Sequence, residues 1–179
     1  MEISNQEKIY LSYIFISAYE NIVNLIKPFH NALSEIIKGS SDVSNDLIIS
    51  MKNIFIEKFN NNKSLKIKDT HRLLVDVNLM SKQDLDLLIM LSKIRNNIGH
   101  ESLKIYFDEK ITYDYFKLED LLKLYKTMFN KFSIILSNEK NSNLQTILNE
   151  NNLNYSSLSL MIDNLLTDFK FKDVKNILK

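Results

Sequence analysis

A chain with almost no glycine or proline has few ways to turn sharply, and this constrains the sequence more than any other feature: its 179 residues hold two glycines and one proline. Sheets linked by tight turns consume both residue types, because glycine supplies positive φ and proline presets φ near the turn value. Their scarcity points to long helices joined by polar connections. The expected fold is all-α, a bundle of about five to eight helices around one core.

The chain carries the punctuation such a bundle needs. Ser4 and Glu7 have the spacing of a capping box, and apolar residues recur through Ile9, Tyr10, Tyr13, Ile14, Ile16, Val23 and Ile26. Pro28 is expected to end or kink this first helix, with a shorter one from about Asn31 to Gly39 and a polar loop at Ser40-Ser41-Asp42. A helix is expected over Asp46–Phe59, then a break at Asn60-Asn61-Asn62-Lys63-Ser64, then a short helix over Thr70–Met80. Ser81 is a good N-cap with Asp84 three residues on, and Leu87, Leu88, Leu91, Ile94 and Ile98 form one stripe, so a helix should run from Asp84 to His100. Around 103–115, Ile105-Tyr106-Phe107 and Ile111-Thr112-Tyr113 flank Asp108-Glu109-Lys110 and read as a short hairpin or an ordered loop. Helical periodicity returns over Leu118–Leu136. Residues 1–138 are therefore expected to form the bundle and 139–179 a C-terminal helical extension.

Composition narrows the chemistry. The absence of cysteine removes disulfides, thiolate metal sites and cysteine nucleophiles. A net charge of +1 argues against a protein that coats nucleic acid by charge alone, while leaving room for a local basic pocket. The start of the chain is acidic, with no positively charged leader or small-residue cleavage site, and apolar runs are interrupted by Ser12, Ser17 and Glu20. The expectation is a cytoplasmic protein with no membrane association, no cofactor and no metal.

One segment concentrates scarce residue types. Arginine occurs only at Arg72 and Arg95 among 23 basic residues, and there are three histidines. Yet Arg95, Gly99 and His100 fall within Arg95-Asn96-Asn97-Ile98-Gly99-His100. Lysine serves elsewhere for plain positive charge. A guanidinium offers a planar fork of donors that lysine cannot imitate, and an imidazole exchanges protons near neutrality. RNA cleavage by 2'-hydroxyl attack needs such a kit: a base, an acid for the leaving 5'-oxygen, and a cation for the charge on the phosphorane. One histidine cannot be base and acid in a single step, so two copies in a two-fold dimer would complete the set. Regular helix geometry sets Arg95 and His100 about 140° apart in azimuth and about 7.5 Å along the axis. Convergence therefore requires a curled arginine, unwinding near Gly99, or a dimer interface.

Leu91-Ser92-Lys93-Ile94-Arg95-Asn96-Asn97-Ile98-Gly99-His100-Glu101 resembles the signature of the HEPN superfamily: arginine, a polar residue, a few more positions, then histidine, late in an amphipathic helix. The wider stretch from about Leu74 to Glu101 resembles HEPN-like proteins related to the mannitol operon repressor family. Members are helical bundles that usually dimerise through this motif, and many are metal-independent endoribonucleases of toxin–antitoxin, phage-defence or CRISPR systems. The resemblance implies that Arg95 and His100 are the catalytic pair and Asn96 the polar third member. It also implies RNA as substrate, a homodimer, and an antitoxin or nucleotidyltransferase-like partner. Asn97, Glu101 and Arg72 are supporting or RNA-binding candidates. Gly99 departs from the alanine common before the histidine. A non-catalytic HEPN-like interaction or regulatory protein is the alternative, and would hold Arg95 and His100 in ion pairs.

Other residues read more simply. Without the resemblance, His100 would cap a helix end and Arg95 would pair with Asp86 or Glu101. His30 and His71 lack ligand-spaced companions and read as structural or solvated. Tyr106, Phe107, Tyr113, Tyr115 and Phe116 could stack bases but more commonly pack in a core or interface. Lys123, Lys126 and Lys131 read as a solvated face.

Overall fold

The computed structural model describes residues 3–39, 46–59 and 64–137. Within them lie six α-helices, one 3₁₀ turn and no strand: α1 (Asn5–Ile37), α2 (Asp46–Phe59), α3 (Ile67–Asp76), α4 (Lys82–His100), α5 (Ser102–Phe107), the turn Tyr113–Phe116, and α6 (Leu118–Ser137). The all-helical expectation holds. The proposed extension at 139–179 and the loops at 40–42 and 60–63 lie outside the described residues.

The core is organised by α1, which packs against α2, α3, α4, α5, α6 and the 3₁₀ turn. Its buried residues include Leu11, Phe15, Ala18, Ile22, Leu25, Ile26, Phe29, Ala32, Leu33 and Ile36. At about 100° per residue they form a stripe wide enough to face several neighbours at once. Ser4 starts the helix with a complete capping box: the Glu7 N–H donates to Ser4 Oγ at 3.2 Å and the Ser4 N–H to Glu7 Oε2 at 2.7 Å. Those bonds hold the Glu7 carboxyl below the usual carboxylate range. Opposite α1, α6 buries Leu121, Leu124, Tyr125, Met128 and Phe132, and the Phe29 and Phe132 rings meet at 4.9 Å.

Pro28 neither ends nor breaks the first helix, correcting the two-helix expectation: α1 runs unbroken for 33 residues with Pro28 buried inside it. The N–H that proline lacks would have bonded the carbonyl of Asn24, an exposed residue. Core contacts at Leu25, Ile26, Phe29, Ala32 and Leu33 fix the backbone on both sides. The lost bond is outweighed by packing. By length and composition alone, the same helix is apolar enough to cross a membrane. An 18-residue window of α1 has a mean hydropathy of 1.3, and half of that window is buried against the bundle.

Two further boundaries differ. The helix expected at Thr70–Met80 is α3, shifted toward the N-terminus. The buried Asp69 carboxylate accepts the Lys66 N–H at 3.1 Å, and the helix is closed by Asn78 in the left-handed region at φ 60°. Residues 103–115 form no hairpin. Ile105-Tyr106-Phe107 continue as α5, and the nearly fully buried Lys8 donates to the carbonyls of Asp108 at 2.8 Å and Tyr106 at 3.4 Å. A core ammonium thus satisfies carbonyls left over at the end of a short helix.

A polar cluster lies between α1 and α3. His30 Nδ1 and Thr70 Oγ1 share a hydrogen bond at 2.8 Å, beside the fully buried Asp69. Burial pushes the His71 imidazole down to about 4, with nearby His30 as a second cause. Burial also lowers His30, opposed by Asp69. An unfolded histidine titrates near 6.5, so between about pH 6.5 and about 4 the unfolded chain binds more protons than the native one. The stability tied to neutral His71 is complete above that window and is lost as pH falls through it. Chemical denaturation from pH 7.5 to 4.5 should show native stability falling by about 2 kcal/mol more than that of His71→Leu; parallel curves would rule the assignment out.

Candidate functional site

The segment of scarce residues occupies the last two turns of α4. Ser81 opens this helix with a second capping box: the Asp84 N–H donates to Ser81 Oγ at 3.0 Å and the Ser81 N–H to Asp84 Oδ2 at 3.1 Å. Leu88, Leu91 and Ile98 are buried, while Leu87 and Ile94 pack at the edge of the core. The helix continues without a break through Gly99 to His100, and α5 starts two residues later. No unwinding occurs at Gly99, and no neighbour lies within 4 Å of where a Cβ would stand. Neither local distortion nor close backbone approach accounts for this glycine.

An intact helix separates the two principal groups. Ile89, Lys93, Asn96 and His100 follow the spacing i, i+4, i+7, i+11 and are all exposed on one outward face. Arg95 lies about 140° away in azimuth from His100 and leans toward α1. There Arg95 Nη2 donates to Glu20 Oε1 at 3.0 Å and Arg95 Nε donates to the same oxygen at 3.3 Å. The side chains remain 41% and 43% exposed, so the pair sits at the surface of the α1–α4 seam, open to solvent.

That seam has a direction. Glu20 meets Arg95, whereas Lys8 meets the carbonyls of Tyr106 and Asp108. From Arg95 onward, the chain through the end of α4 and α5 therefore runs back toward the start of α1. Residues near the start of α1 and those of α5 consequently belong to the same end of the bundle. Several large apolar side chains stand in water there: Tyr13 at 73%, Leu103 at 70% and Phe107 at 72%, with Ile9 and Tyr10 also exposed.

The remaining candidates scatter. Asn97 is exposed on α4, and Glu101 lies 3.5 Å from Lys104 in an exposed i,i+3 pair. Arg72 is exposed on α3, 4.0 Å from Asp69, and among the described residues no ion pair or hydrogen bond joins it to the α4 segment. Of the aromatic set, Phe116 is buried, Tyr106, Tyr113 and Tyr115 are half-buried, and only Phe107 is fully offered to solvent. Lys131 pairs with Asp84 at 3.7 Å, while Lys123 and Lys126 are exposed.

The partner of Arg95 is neither Asp86 nor Glu101 but Glu20, 75 residues earlier in the chain. Its signal in the sequence is isolation: Glu20 is the single charged residue between Lys8 and Lys27, on the helix that carries the core. The buried Lys8, which donates to carbonyls about one hundred positions later, likewise has no local signal in the sequence.

Because Gly99 sits in helical backbone with open space around it, Gly99→Ala should strengthen the end of α4 by about 0.5 kcal/mol, less than a mid-helix exchange. A urea denaturation midpoint that falls in this variant would show that the glycine serves a conformation other than this helix. The case for a function rests on these residues, since no family model, curated protein or solved structure matches the chain.

Proposed function

We propose that this chain is a metal-independent endoribonuclease of the HEPN type that works as a homodimer, in the role of a toxin or phage-defence effector. What supports the reading most is the placement of Arg95-Asn96-x3-His100. The motif lies in the final turns of an amphipathic bundle helix, with Asn96 and His100 exposed and Arg95 reachable by solvent. The arginine fork would take the scissile phosphate, His100 would exchange protons with the 2'-hydroxyl or the leaving 5'-oxygen, and Asn96 would orient phosphate or imidazole. The bond formed is 2'-oxygen to phosphorus and the bond broken is phosphorus to 5'-oxygen, leaving a 2',3'-cyclic phosphate and a 5'-hydroxyl.

A homodimer fits this reading, because Arg95 is held toward Glu20 while His100 lies on the outward face, and one histidine cannot be base and acid in a single step. A second copy meeting the first near the end of α4 would supply the missing imidazole and bring guanidinium and imidazole from different chains together. The solvent-exposed Leu103, Phe107 and Tyr13 support that contact, since large apolar side chains clustered on a surface usually serve association.

A second reading, a non-catalytic HEPN-like regulator, is favoured by one observation: Arg95 is already engaged by Glu20. Exposed His100 and Asn96 weigh against it, because a purely structural motif would have these groups paired.

Cleavage of single-stranded RNA in EDTA by Arg95→Ala and His100→Ala tests the choice. Each should act at least about 100-fold more slowly than the native chain, with cyclic phosphate ends on the native products. Equal rates in both variants overturn the assignment, and a native chain that leaves RNA intact favours the regulator.

A further inference from the structure

We infer that Glu20 is the positioning residue of this site, fixing which edge of the Arg95 guanidinium is offered to a phosphate; the inference rests on the ribonuclease reading above. The argument is a count of donors. A guanidinium carries five N–H groups: one on Nε and two on each Nη. Glu20 Oε1 takes the Nε–H and one Nη2–H, both on the side edge of the fork. The two Nη1–H groups and the outer Nη2–H are left; the outer Nη2–H and the Nη1–H beside it form the end edge, which is itself a bidentate surface for two phosphate oxygens. Glu20 and a phosphate can therefore hold the same guanidinium together without competing for a hydrogen.

Placement strengthens the case. Arg95 occupies the azimuth of α4 that faces α1, away from the outward stripe of Asn96 and His100. An unrestrained arginine there has many rotamers, few of which direct its fork to any one point. Two bonds to a carboxylate on a neighbouring rigid helix remove most of that freedom. Glu20 is well anchored for this work, flanked on α1 by the buried Tyr19 and Ile22. Half-exposed ion pairs contribute little to stability, so orientation is the contribution left to the one charge between Lys8 and Lys27.

Charge and positioning predict opposite outcomes, which makes the inference testable. A carboxylate beside a phosphate site repels the phosphate, so on charge alone its removal should tighten binding and speed cleavage. Positioning predicts that Glu20→Ala loses turnover, whereas Glu20→Gln, which keeps an acceptor oxygen at the same reach but no charge, retains it. The experiment measures kcat and KM on single-stranded RNA in EDTA for native protein, Glu20→Ala and Glu20→Gln, with solvent exchange of the Arg95 Nε–H followed by NMR. The expected result is a kcat about ten-fold lower in Glu20→Ala with KM changed by less than about three-fold, most of the rate restored in Glu20→Gln, and slow Nε–H exchange in native and Glu20→Gln only. Glu20→Ala as fast as native or faster, Glu20→Gln as slow as Glu20→Ala, or the same exchange rate in all three overturns the inference while the ribonuclease reading stands. Failure of the native chain to cleave RNA overturns both.

Discussion

Burial of one face of α1 is the constraint from which the rest of the structure follows. Every other described helix packs against this one, and its inward residues from Leu11 to Ile36 are at or near complete burial. At roughly 25 cal/mol per Å² of apolar surface, the several large side chains involved contribute far more than any cap or ion pair in the chain. This dominance explains why Pro28 is tolerated in mid-helix. A missing hydrogen bond and a local steric conflict cost a few kcal/mol in an isolated helix. They cost less than repacking Leu25, Phe29 and Leu33 against α6 and the other helices.

The same helix carries the polar groups that set the rest of the surface in register. Lys8 reaches the carbonyls ending α5, and Glu20 reaches Arg95 on α4. Between these two points α1 has no other charge. Two charged contacts about eighteen ångströms apart along a rigid helix hold the α4–α5 corner in place. Each is individually modest, and their roles differ. Lys8 is buried, so its bonds to carbonyls are needed to offset its own desolvation. Glu20 is half in water and has no such debt, which leaves its geometry as its contribution.

How much of this was legible in the sequence depended on whether the deciding contact was local. The capping boxes at Ser4/Glu7 and Ser81/Asp84 span three residues each, and both are formed as their spacing implies. The bounds Asp46–Phe59 and the end of α4 at His100 were also readable, because an apolar stripe and a polar break define them within a few residues. Ile105-Tyr106-Phe107 misled for the opposite reason. Strand-forming residue types sit in a helix whose terminal carbonyls are satisfied by Lys8, a residue distant in the chain. Pro28 misled because local sterics lost to a core that is visible only in three dimensions. At the candidate site, the rarity of arginine singled out Arg95, whereas its carboxylate partner Glu20 is visible only once α1 is packed on α4.

Helix continuity makes the site a question of assembly. Had Gly99 broken α4, Arg95 and His100 could have turned toward each other within one chain. The helix holds to His100, so the backbone keeps the two residues about 140° apart in azimuth, with Arg95 turned to Glu20. On the proposed reading, a straight helix end presenting His100 outward, next to a seam presenting an anchored guanidinium, would become one reactive locus only when another helix end is laid across it. The exposed Leu103 and Phe107 on the short helix directly after the motif place apolar surface where such a crossing would need it. On the proposed ribonuclease reading, proton transfer would depend on association, because the residue pair would be assembled at the same surface that joined two copies.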